Sequence, residues 1–311
     1  MSRLLARLAP RGRWLLIVGL ALGIGWPALA EAMAPAIVPL IALMLFLAAL
    51  RLGPAAALPA RRGLPRALGL TALLQLGLPL LACAVLGGAG VLETVAATGA
   101  VLVFAGAPIT GTPGLAAMCG ADAGAAMRQL ILGTALLPLT AVPVFLLLPV
   151  FPDLLSVAAG ALRLLVVIAL ATGGAFWLRR AVPALAAPAA GPAIDGAMAL
   201  VMGLVVIGLM SAVGPALMAL DPRLLGYMAL AFALNLGLTV GAWLGLRGGM
   251  PGGEAAGLSI AAGNRNLALF LAALPPETVK PLLLFVGCYQ VPMYLTPLVL
   301  PRLLRWGPQG R

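Results

Sequence analysis

Apolar residues run along this chain in long blocks, separated by short breaks rich in Gly, Pro and Arg. Ten such runs, at 14–30, 35–52, 67–88, 92–119, 125–150, 155–178, 195–217, 224–246, 255–275 and 281–303, approach or exceed the ~20 residues that carry a helix across a bilayer. Only the connections 53–66 and 179–194 have any length, so no soluble domain fits between the runs. The pattern predicts an all-α integral membrane protein of ten transmembrane helices.

Composition agrees. Of 311 residues, 63% are hydrophobic and 9% charged, with a mean hydropathy of +1.15, where a soluble domain carries about 25% charge. No histidine occurs, which removes the commonest general base, proton relay and metal ligand and every HExxH-type spacing. Cys83, Cys119 and Cys288 are far apart in apolar surroundings and read as small buried thiols. None of the eight acidic residues falls in the middle of a run. Hydroxyls, thiols and one arginine are too poor a set for acid, base or nucleophilic catalysis, so no enzyme, metal or cofactor is expected. A sensor or scaffold is the alternative outside transport, but such a protein would be expected to carry an output domain.

The net charge of +11 reports topology, not nucleic acid. If the first run starts inside, the inner segments hold Arg3, Arg7, Arg11, Arg13, Arg51, Arg61, Arg62, Arg66, Arg128, Arg179, Arg180, Arg247, Arg302, Arg305 and Arg311. The outer ones hold only Arg223 and Lys280, with Glu31, Glu93, Asp153, Asp221 and Glu277. This positive-inside bias predicts that both termini are cytoplasmic; the expected location is the plasma membrane, a bacterial inner membrane. Arg163 sits near the outer interface, where its guanidinium can snorkel. Residues 1–30, ending Ala28-Leu29-Ala30, also resemble a cleavable leader; the run from Trp14 is longer than a leader's apolar core, and the first span is read as retained.

Five runs fall in 14–151 and five in 154–304, and an odd number per half makes the halves inverted repeats. Pro138 and Pro143 in the fifth run echo Pro292 and Pro297 in the tenth, and Gln75 in the third echoes Asn235 in the eighth. The fourth run is interrupted by Ala107-Pro108-Ile109-Thr110-Gly111-Thr112-Pro113-Gly114, and the ninth by Gly263-Asn264-Arg265-Asn266. Pro108 and Pro113 remove donors, Gly111 and Gly114 permit non-helical backbone, and Gly263 opens the second break. Interrupted helices at matching places in two inverted halves point to a transporter's substrate site, and an intramembrane Arg needs a partner or a wet cavity. Thr110, Thr112, Asn264, Arg265 and Asn266 are therefore the candidate substrate ligands.

These stretches, with Gly120-Ala121-Asp122 and Tyr289-Gln290-Val291-Pro292-Met293-Tyr294-Leu295-Thr296-Pro297, resemble the fourth, ninth and tenth helices of the bile acid:sodium symporter family over nearly the whole chain. The resemblance implies a core of 67–150 and 224–303 with discontinuous helices 4 and 9 crossing, and a panel of 14–52 and 155–217 against which it rocks. It implies a secondary transporter of a small organic anion bound between panel and core near the breaks. Of the family's sodium ligands, Thr134 matches one and Gln75 another within one position. The family's acidic residue falls at Ala261, its glutamine at Arg265, and its serine and asparagine at about Pro113 and Gly114. Sodium or a proton is the candidate coupling ion, with sodium coupling weakened or lost; Arg265 either pairs with a substrate carboxylate or fills the vacant cation position. Efflux of the arsenite-extrusion type, which uses a cysteine near the fourth-helix break, is the alternative within transport; here Cys119 lies at that helix's end.

Overall fold

The computed structural model describes residues 2–53 and 64–304, all helical apart from short links. Arg61, Arg62, Arg305 and Arg311, counted above toward the inner face, lie outside the described residues. In chain order the helices are α1 (Ser2–Leu8), α2 (Gly12–Gly25), α3 (Pro27–Met33), α4 (Ile37–Leu52), α5 (Leu64–Ala72), α6 (Leu78–Gly88), α7 (Val95–Ala105), α8 (Thr112–Met118), α9 (Ala123–Phe145), α10 (Leu154–Ala181), α11 (Gly191–Leu209), α12 (Val213–Met218), α13 (Pro222–Leu246), α14 (Gly252–Gly263) and α15 (Pro276–Leu304).

Among the described residues, seven helical stretches are long and apolar enough to cross a membrane: Pro27–Leu52, Leu64–Gly88, Ala123–Phe145, Leu154–Ala181, Pro188–Leu209, Pro222–Leu246 and Pro276–Pro301. Leu139, Leu154, Leu155, Leu170, Leu225 and Trp177 stand exposed on such helices, a surface suited to lipid and not to water. The chain is an all-α membrane protein. Several boundaries move from their expected places: the helix of the fifth run stops at Phe145, and the seventh run is divided between α11 and α12. The first apolar run ends at Gly25, and the chain turns at Trp26 instead of near Glu31, because Pro27 opens a new helix and disfavours helical backbone at the residue before it. Ala28-Leu29-Ala30 is helical, with Ala30 buried.

The chain divides into two compact units. The first comprises Met1–Pro59 and Leu162–Leu224. Its centre is α11, whose glycines let other helices approach closely: a methyl at Gly203 would touch the Leu15 carbonyl, and one at Gly208 would press on Ile37 and the Met33 carbonyl. At the end of α4, Gly53 takes φ +75° and ψ 168°, an extended positive-φ conformation open essentially only to glycine. Arg179 donates to the Leu50 carbonyl there, placing a cation on the negative end of the helix.

The second unit comprises Ala60–Ala161 and Leu225–Arg311. Asp122 accepts from the N–H groups of Gly124 and Ala125 and starts α9, while its own N–H donates to Gly253. Phe145 stacks on Phe151 at 4.3 Å and meets Phe270 edge-on at 5.8 Å. Both interrupted helices lie in this unit.

Candidate functional site: a bridged pair of broken helices

Helix α7 stops at Ala105 because Gly106 turns extended, at ψ 149°, and Pro108 cannot continue the helix. Helix α14 stops at Gly263, and Asn264 departs from helical backbone. The two links meet. Ile109 N–H donates to Asn264 O at 2.8 Å and Asn266 N–H to Ala107 O at 2.6 Å, forming an antiparallel bridge of Pro108 with Arg265. In this pattern the bridged residues are the non-hydrogen-bonded pair, so neither needs an N–H aimed at its partner. Proline therefore fits at position 108 without loss. Beyond the bridge α8 starts at Thr112 and a 3-10 turn, Leu267–Ala272, starts after Asn266.

Arg265 is 1% exposed. Its Nη2 donates to the Phe104 carbonyl near the end of α7 at 3.0 Å, while Nε and Nη1 have no hydrogen-bond partner. Helix C-terminal carbonyls favour a cation, but one carbonyl satisfies only part of a group with five N–H bonds. None of the eight carboxylates is buried: Asp195, Glu254 and Asp221 pair with Arg51, Arg128 and Arg223, and Asp122 caps α9. The guanidinium is thus a buried positive charge with three N–H bonds on two unpaired nitrogens and no fixed counter-ion.

The other candidates divide. Thr110 is buried and has no hydrogen-bond partner among the described residues. Asn266 accepts from Leu269 N–H at 3.2 Å and caps the 3-10 turn, leaving its amide N–H groups free. Thr112 and Asn264 are committed internally. The Thr112 hydroxyl donates to Ile109 O at 2.7 Å; Asn264 donates to Ile260 O at 2.8 Å and accepts from Thr296 at 3.1 Å. These two build the links.

The glycines play other parts than expected. Gly111 has ordinary right-handed backbone as the N-cap of α8, with Pro113 in the first turn, where proline is tolerated. Gly114 lies inside α8, and a methyl there would meet open space. Gly263 is required by close approach and not by backbone freedom, since a methyl would strike the Thr239 hydroxyl and the Asn235 carbonyl. Its own carbonyl accepts from the Tyr289 hydroxyl at 2.7 Å and from Asn235.

Gln75 lies in a π-helical turn, Leu73–Gly77, between α5 and α6. Its amide donates to Gly133 O at 3.1 Å and accepts from Thr140 at 3.2 Å. Thr134, buried, follows Gly133 along α9. A methyl at Gly133 would meet both the Pro108 ring and the Gln75 amide, so glycine at this position lets α9 pack closely behind the bridge. No group of three or more His, Cys, Asp or Glu that could hold a metal occurs among the described residues. Tyr289 and Thr296, which brace the second link, were not expected at the site, although their i, i+7 spacing puts both on one face of α15. No protein-family model matches the sequence, and no curated protein does.

Proposed function

We propose that the protein is a secondary active transporter of small organic anions, of the bile acid:sodium symporter type that its motifs resemble, and that Arg265 holds the substrate's anionic group. One observation carries the reading. A guanidinium 1% exposed keeps two nitrogens unpartnered where the links of two interrupted helices are bridged. Leaving such donors unmatched in a low-dielectric interior is costly, and an anionic carboxylate or sulfonate supplies charged acceptors for them. Unwound backbone at membrane depth is tolerated where it lines a substrate cavity. Thr110 and the free amide of Asn266 are the neutral groups that complete the shell.

In this reading the ten apolar runs are ten transmembrane helices in two inverted five-helix repeats, with both termini cytoplasmic in a bacterial inner membrane. The first unit serves as panel and the second as core. The substrate is amphipathic or small, and its charge is read by Arg265.

The test is ligand-induced thermal stabilisation of the purified protein by bile salts, branched keto acids, pantothenate and steroid sulfates, with and without sodium, followed by uptake of any stabilising compound into proteoliposomes. At least one anion should raise the melting temperature of the native protein and leave Arg265→Gln unmoved. Stabilisation that survives in Arg265→Gln would overturn the assignment of Arg265.

A further inference from the structure

Any carrier must return its site to the starting side after delivery, and here that step has an electrostatic obstacle. Resting on the reading that Arg265 holds the substrate, we infer that the protein is an anion exchanger, whose empty site does not return readily and which swaps one organic anion for another. With a monoanion bound, the guanidinium and its ligand form a neutral pair. With none bound, the unit that moves carries a bare positive charge through a low-dielectric environment.

In cation-coupled carriers an ion or proton can share such a burden, but no carboxylate or imidazole of this site provides for one. No carboxylate of the chain is buried and no histidine exists, so no acid travels with the site to take up a proton or hold a sodium ion. Asn264 is consumed by Ile260 and Thr296, Thr112 by Ile109, and Gln75 by Gly133 and Thr140, which leaves the Asn235 Oδ1 and the Thr110 hydroxyl as neutral acceptors with no charge to offset a cation. A further cation placed beside a fixed guanidinium would be repelled. The Phe104 carbonyl relieves part of the charge through a single hydrogen bond, and the remaining N–H groups call for an anion on the return journey as on the outward one. Exchange of equal charges moves no net charge.

The experiment uses the full chain in liposomes loaded separately with radiolabelled benzoate, 2-oxoisovalerate or taurocholate, in choline sulfate without sodium. Release is followed into the same medium with or without the same unlabelled anion outside. For at least one probe, outside anion should accelerate release by about tenfold or more, and a potassium–valinomycin potential should leave that exchange unchanged. In Arg265→Gln the acceleration should disappear, whereas Arg265→Lys, which keeps the charge, should retain it. Equal release with and without outside anion, or accumulation in empty liposomes driven by a sodium gradient, would overturn exchange and leave anion transport standing. Release of no probe under any condition would overturn the transport reading, and exchange with it.

Discussion

At residue 265 stability and function pull in opposite directions. A buried charge costs several kcal/mol in desolvation, and one hydrogen bond of 3.0 Å to Phe104 offsets part of that. Replacing Arg265 by Met, of similar reach and no charge, should therefore raise the melting temperature by about 2 °C or more while abolishing any stabilisation by organic anions. A melting temperature lowered by the substitution would mean that the guanidinium is a structural strut. The glycines make a second residue-scale contrast. Gly263→Ala drives a methyl into Thr239 and Asn235 and should destabilise by about 1–3 kcal/mol. Gly114→Ala meets open space within a helix and should stabilise by about 0.5–1 kcal/mol. Thermal denaturation of the two variants in detergent reads both signs.

Among the elements, the bridge between the two links decides what proline means here. Because Pro108 occupies the non-hydrogen-bonded position, Pro108→Ala should change stability by less than about 1 kcal/mol. Ile109→Pro removes the N–H that donates to Asn264 at 2.8 Å and should cost about 1–3 kcal/mol by leaving that carbonyl unmatched. Equal effects of the two substitutions would contradict the observed register. The all-helical membrane character and both interruptions were legible in the sequence, since apolar length and Pro-Gly composition are local signals. The pairing of the interruptions was not. A single bridge between residues 108 and 265 leaves no periodicity, and nothing in Gly263 distinguishes a helix-contact glycine from a flexible one. Likewise Asn264 and Thr112 read as free ligands because their internal partners, Thr296 and the Ile109 carbonyl, are set only by the folded backbone. The first turn was misplaced because Glu31 suggested an end that Pro27 had already imposed five residues earlier.

Over the whole molecule, charge determines two behaviours. The arginine distribution predicts cytoplasmic termini, so a fluorescent protein fused to the C-terminus should be bright and an alkaline phosphatase fused there inactive; the opposite pair of results would invert the topology. The response to pH follows from which groups can titrate on unfolding. No histidine is present and no carboxylate is buried, so no such group gains or loses a proton near neutrality as the protein unfolds. Two carboxyls are held below their usual range, Asp221 by hydrogen bonds from Arg223 and Asp153 by hydrogen bonds involving Ser156. A depressed carboxyl contributes its stabilisation above its unfolded pKa of about 3.9 and loses it as pH falls through the lower folded value. The melting temperature in detergent should accordingly stay level from about pH 5.5 to 8 and decline only below about pH 4. A step in stability with a midpoint near pH 6–7 would require a buried acid that neither the sequence nor the fold contains, and would overturn the view that Arg265 is the site's single permanent charge.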